Sequence, residues 1–200
     1  MKKFAFYFTA VCMAALLFAC SGPQVTRVDP ETEIDFSGYW NDTDSQQVSK
    51  EMIDESLNMS WVDNYQKETG RKPRVIVGQV LNKTEEHITT ETFVKDLEKA
   101  LIDSGKVVFV ASSEQRGEIR DERADQAQNA RPDTVKKQGQ ETGADFMLKG
   151  QINTIMDGKK GAELKYYQVE LELINIETNE KTWMGQKKIK KVIANKKYKV

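Results

Sequence analysis

Two cysteines and one histidine in 200 residues leave few ligands for a metal and few thiols for chemistry. Cys12 lies inside an N-terminal apolar run, so Cys20 is the one thiol beyond it, and a chain with one such thiol closes no disulfide within itself. No glycine-rich dinucleotide loop, phosphate-binding loop or Gly-x-Ser-x-Gly nucleophile elbow is present. No internal repeat is visible. A net charge of −1 excludes the strongly basic balance of a nucleic-acid binder. A run of about 20 apolar residues, the length needed to span a bilayer, is also missing.

The chain does contain a shorter apolar run, from Phe4 to Phe18, preceded by Lys2-Lys3 and followed by Ala19-Cys20. A basic start, a short apolar stretch and a small residue before the cut describe a secretory signal. A cysteine directly after the cut describes a bacterial lipoprotein signal, in which the thiol receives a diacylglycerol and the new α-amine is acylated. The expectation is a signal peptide over 1–19, a lipid-anchored flexible tether over 20–37 and a globular domain over 38–200. Losing the signal leaves 28 basic and 31 acidic residues.

The charges are unevenly placed. Asp29 to Gly70 holds eleven carboxylates and two lysines, whereas Lys181 to Val200 holds eight lysines and no carboxylate. Either one end presents an interaction face or the two ends neutralise each other in the fold.

Periodicity supplies the elements. Asp44 with Gln47 reads as a capping box, and Ile53, Leu57, Trp61 and Tyr65 recur at helical spacing until Gly70 and Pro73. Val75–Val80 reads as a buried strand. Thr89 reads as the cap of a helix with Phe93, Val94, Leu97, Ala100 and Leu101 inward and Gly105 as its stop. Ile88 and Phe93 are spaced as a hydrophobic staple. Val107–Val110 reads as a second apolar strand, so strand, helix and strand form a βαβ unit. Ser112 and Gln115 form another capping box, ahead of a highly charged helix with Ile119 and alanines as its apolar contacts. Arg131-Pro132 breaks it, and a short helix is expected up to Gly143. Ala144–Met156, Glu163–Ile176 and a last strand with Trp183 and Ile189 alternate as a meander, with a loop over Asp157–Gly161 and a phase shift at Ile174 that signals a bulge. The fold class is therefore α/β: a βαβ start followed by an antiparallel meander, one mixed sheet of about five strands with helices packed on it.

Catalytic constellations are not evident. His87 sits in a polar turn with no visible partner and reads as a turn residue, not a general base. Glu85-Glu86 and Asp121-Glu122 read as solvated charges. Arg116, Arg120 and Arg123 share one helical surface. They read either as a partner-binding face, since arginine forks onto carboxylates at interfaces, or as internal partners of Glu118, Asp121 and Glu122.

The segments SGYWNDTDS (37–45), VIVGQVLNKTEEHITT (75–90), SGKVVFVASSEQRGEIRDERADQ (104–126), ETGADFMLKGQI (141–152) and YYQVELELINIETNEKTW (166–183) resemble, in order and spacing, the LpoB-type lipoprotein activators of penicillin-binding proteins. That resemblance implies an outer-membrane lipoprotein facing the periplasm, without cofactor or catalytic activity. Its partner would be a bifunctional penicillin-binding protein of the inner membrane, which it would bind and stimulate in peptidoglycan synthesis. Ser21 after the lipidated cysteine agrees with export to the outer membrane. The leader before SGYWNDTDS is much shorter than the long, proline-rich leader of enterobacterial members. The protein is expected to be a monomer. The competing reading is a lipoprotein of a secretion or envelope-assembly complex. A pore-forming member of that class needs long amphipathic hairpins, which the short gaps here do not supply.

Overall fold

In the computed structural model, residues 25–30, 32–159 and 161–194 are described; Cys20 and the signal lie outside them. The chain divides into two units, Met1–Thr32 and Glu33–Val200. In the first, the described residues form no helix or strand, and the Thr32 amide donates to the Asp29 carbonyl at 2.9 Å. All helices and strands described below belong to the second.

Helix α1 (Asp42–Leu57) starts at Asn41, not at Asp44 as the sequence suggested. Asparagine and aspartate cap comparably well, and the partner three residues on decides between them. Asn41 Oδ1 accepts the Asp44 amide at 3.0 Å and Asp44 Oδ2 accepts the Asn41 amide at 3.0 Å, which closes a reciprocal box. The expected single helix is also two. After α1, the chain turns at Asn58–Ser60 and resumes as α2 (Trp61–Thr69). Lys106 Nζ donates to the Leu57 carbonyl at 3.1 Å, and the Trp61 indole donates to the Ser56 carbonyl at 2.7 Å. Both satisfy carbonyls that a helix end leaves without a partner. Ile53, Leu57 and Trp61 are all buried, so the apolar stripe continues across the break.

Strand β1 (Arg74–Asn82) leads to α3 (Thr90–Asp103), whose Phe93 and Leu97 are fully enclosed. Strand β2 has two residues, Val108–Phe109, shorter than the expected Val107–Val110; Val107 and Val110 on either side are buried, whereas Val108 is exposed and Phe109 half-buried. Helix α4 (Ser113–Asn129) begins with the expected reciprocal box between Ser112 and Gln115. Beyond it residues 130–145 form turns and irregular chain; the short helix expected there is not formed. That segment is polar and has no apolar stripe to dock, and helical stability in proteins comes mainly from such docking.

Strands β3 (Phe146–Lys159), β4 (Ala162–Asn175) and β5 (Lys181–Ala194) form a three-stranded antiparallel ribbon. The β3–β4 turn is tighter than the expected five-residue loop, since Lys159 already pairs with Ala162. The sheet order is β2-β1-β3-β4-β5, with β1 parallel to β2 and to β3. The phase shift at Ile174 is a bulge: Leu173 faces Trp183, Ile174 faces Lys181, and Thr182 is left over. Gly150 allows β3 and β4 to approach closely, since a Cβ there would lie 2.1 Å from the Glu170 carbonyl oxygen.

The core lies between one sheet face and helices α1, α2 and α3. Leu148, Ile152, Tyr167, Val169, Leu171 and Leu173 supply the sheet side. Trp61 and Tyr65 pack edge-on against Phe146, with ring centroids 5.2 and 5.3 Å away. Among the described residues, no helix is long and apolar enough to cross a membrane.

Candidate functional site

Alternation along β4 turns Lys165 to the same side as Tyr167, Val169 and Leu171. Lys165 is 2 % exposed, and a lysine ammonium so enclosed must be paired. Its Nζ lies 2.8 Å from Glu86 Oε1 and 3.2 Å from the centroid of the Tyr39 ring. The Tyr167 hydroxyl donates to the same carboxylate at 2.7 Å, and the Trp40 amide donates to it at 3.3 Å. Burial alone would raise the Glu86 carboxyl; the Lys165, Tyr167 and Trp40 donors outweigh it and hold Glu86 below the ordinary carboxylate range. Burial, with the facing Glu86 charge, pushes the Tyr167 hydroxyl far up, so it stays a donor. The reading of Glu85-Glu86 as solvated charges is therefore corrected for Glu86, whose side chain is 8 % exposed.

Lys191 on β5 faces Lys165 in the register and makes a second clamp. Its Nζ bonds Asp44 at 2.6 Å, Asp35 at 2.9 Å and the Tyr39 carbonyl at 3.2 Å. Burial opposes the charge on both sides and lifts the Asp44 carboxyl. The two carboxylates nevertheless keep Lys191 above the usual lysine range, so the shared proton stays on the amine. Between the clamps, Trp40 packs edge-on against Phe93 and Tyr167, at 5.9 and 5.7 Å. Residues 35–41 thus form a strap, held over the ribbon by two lysines. Lys187 adds an ion pair to Glu51. For Lys187 and Lys191, the acidic and basic ends of the chain neutralise each other; Lys188 and Lys190 make no ion pair among the described residues.

Helix α4 is built differently. None of its residues is buried. Arg120 grips Glu141 with two bonds, at 2.8 and 2.9 Å, and Arg123 reaches the same carboxylate at 2.9 Å. The Arg120 bonds first, then those of Arg123, overcome the effect of burial and draw Glu141 down to about 2. Arg116 is half-buried and its Nε is enclosed without a partner. The structure thus brings Arg120 and Arg123 together, on Glu141 and not on Glu118, Asp121 or Glu122. Those three carboxylates are exposed and line a shallow depression around Ile119. His87 is exposed in the turn after β1.

A third ionic lock closes the base of the sheet. Arg71 bonds Asp145 at 2.7 and 2.8 Å, and the Arg74 amide donates to the same carboxylate at 2.8 Å. Burial works to raise Asp145, but these donors prevail and bring it to about 2.

The family model of the peptidoglycan-synthase activator LpoB matches residues 44–189. No curated protein matches the chain. Among solved structures, the chain is similar to the LpoB C-terminal domain from Escherichia coli, at 18 % identity over 73 % of this chain and 98 % of that one, with a TM-score of 0.42. It is also similar to the LpoB C-terminal domain from Salmonella enterica, at 20 % identity over 64 % and 91 %, with a TM-score of 0.37. A third similarity is to lipoprotein GNA1162 from Neisseria meningitidis, at 14 % identity over 63 % and 88 %, with a TM-score of 0.37.

Proposed function

Because the chain belongs to the family of the peptidoglycan-synthase activator LpoB, we propose that it is an outer-membrane lipoprotein, anchored through Cys20, that faces the periplasm. It binds and activates a bifunctional penicillin-binding protein. The observation that carries this reading is the family match, which spans from the first turn of α1 well into β5. The mode of action is binding without catalysis. A ligand that prefers the active state of a synthase shifts its population by the difference in affinity between states.

The proposed docking surface is α4, with Arg116, Arg120 and Arg123 as its basic contacts. A 17-residue helix that buries nothing contributes little to the core and exposes much to a partner. Two of the arginines already hold Glu141, so a carboxylate of the synthase would compete with Glu141 for them.

The test is glycan polymerisation by the cognate synthase with and without residues 21–200 at saturation. The added chain is expected to raise the polymerisation rate and to hydrolyse no peptidoglycan by itself. An unchanged rate would remove the proposal. The strap must be kept in any shortened form, because a start after residue 41 removes the Tyr39 ring from Lys165, the Trp40 amide from Glu86, and Asp35 and the Tyr39 carbonyl from Lys191.

A further inference from the structure

The free end of the β3–β4–β5 ribbon carries a surface apart from the docking surface proposed on α4. On the face away from α1 and α3, Ile155, Tyr166 and Lys190 stand side by side across the three strands, and Leu164 and Val192 follow in the next row. Ile155 is 66 % exposed and Val192 70 %. Exposed aliphatic side chains grouped in this way mark a contact surface more often than an accident of composition. Lys188 and Lys190 point to this face and make no ion pair among the described residues, whereas Lys187 and Lys191, one residue along, turn inward onto carboxylates. Lys159 is exposed at the hairpin. The carboxylates on this face are Asp157, in the row of Leu164 and Val192, and Glu170, one row beyond Lys188 and bonded to Gln151, Gln168 and Gln186; Glu163 lies on the other face, 4.0 Å from Lys165. The chain also enters the fold at this end, where Lys191 holds Asp35 and the Tyr39 carbonyl.

We propose that this end of the ribbon is a membrane-contact surface, which sets Ile155, Tyr166 and Val192 into the headgroup boundary of an anionic bilayer and Lys188 and Lys190 onto its lipid phosphates. The pattern is that of interfacial membrane binding: apolar side chains enter the headgroup boundary, and lysine stems lie along the apolar surface while their ammonium groups reach the anionic layer. An acidic protein would also attract the lysines. The cations of the patch, however, are lysines, which protein interfaces are depleted in, and its aliphatics lie on an open sheet face. The proposal does not depend on acylation of Cys20, and it is tested without it.

Residues 21–200, unacylated, are sedimented with vesicles of phosphatidylcholine and with vesicles of phosphatidylcholine and phosphatidylglycerol in equal amounts. The chain is expected to bind the anionic vesicles roughly ten-fold or more tightly than the neutral ones, and to be released by salt. Lys188→Glu with Lys190→Glu is expected to weaken that binding by about ten-fold or more, as is Ile155→Ser with Val192→Ser. All four side chains are at the surface, so the thermal midpoints should stay at the parent value, which keeps loss of folding separate from loss of binding. Equal binding to both vesicle types overturns the proposal, as do variants that sediment like the parent. Variants that lose synthase activation, from a parent that binds no vesicle, assign the patch to a protein partner and overturn it as well.

Discussion

Lys165 interrupts an otherwise apolar inward row on β4, and its enclosure is expensive unless every polar atom around it is used. Glu86, Tyr167, Trp40 and Tyr39 supply those partners from three separate parts of the sequence. Breaking such a pair from one side leaves an uncompensated charge in a dry site, at a cost of about 3–5 kcal/mol. Lys165→Met is therefore expected to lower the urea midpoint by a corresponding amount. Adding Glu86→Gln, which removes the stranded charge and keeps an acceptor for the Tyr167 hydroxyl, is expected to recover part of the loss. Equal destabilisation by Lys165→Met and by the double variant would contradict this account of the clamp. Half of this site was legible in the sequence. The strict alternation through Tyr167, Val169 and Leu171 already places Lys165 inward, and a buried lysine demands an anion. Which anion was not legible, because Glu86 lies 79 residues away and sits in a run of polar residues that looks solvated.

Helices show where local patterns mislead. The stripe through Ile53, Leu57, Trp61 and Tyr65 faces the core as its spacing predicts, yet it crosses a turn at Asn58–Ser60. Spacing reports which side chains share a face, and two short helices in line share a face as well as one long helix does. Helix α4 is the opposite case: its cap was legible, but its lack of apolar contact gave no sign of Glu141, the group that holds it. Glu141 is drawn to about 2 in the fold, against about 4.3 for an unpaired glutamate. A depressed folded value contributes stability above the unfolded value, and that contribution is lost as pH falls from about 4 toward 2. Amide protection over Ser113–Asn129 is expected to fall in that window. Glu141→Gln is expected to remove the protection already at neutral pH, with the thermal midpoint of the sheet nearly unchanged, because α4 buries none of its residues. If the midpoint drops together with the α4 amides, the helix belongs to the cooperative core.

For the whole molecule, the parallel β1–β2 pair and the meander follow from the sequence because connection lengths leave few choices: a βαβ start forces parallel neighbours, and short gaps force a meander; the placing of β3 beside β1 and parallel to it does not follow. The strap is not legible in the sequence, since residues 35–37 continue a polar stretch without periodicity and the two lysines that hold residues 35–41 lie far along the chain. Its presence shortens the length of chain free to reach. From Cys20 to Asp35 a fully extended backbone covers at most about 50 Å. If the chain is anchored through Cys20 as proposed, a partner anchored in the opposite membrane must extend toward the outer membrane to be met. Deletion of residues 22–31 spares Asp35, Tyr39 and both lysine clamps, so synthase stimulation in solution should be unchanged. The same deletion should abolish complementation in cells, and replacing those ten residues by a Gly/Ser segment of equal length should restore it. If the deleted chain still supports growth, reach does not limit this activator. If the Gly/Ser chain fails, the tether contributes through its sequence and not its length.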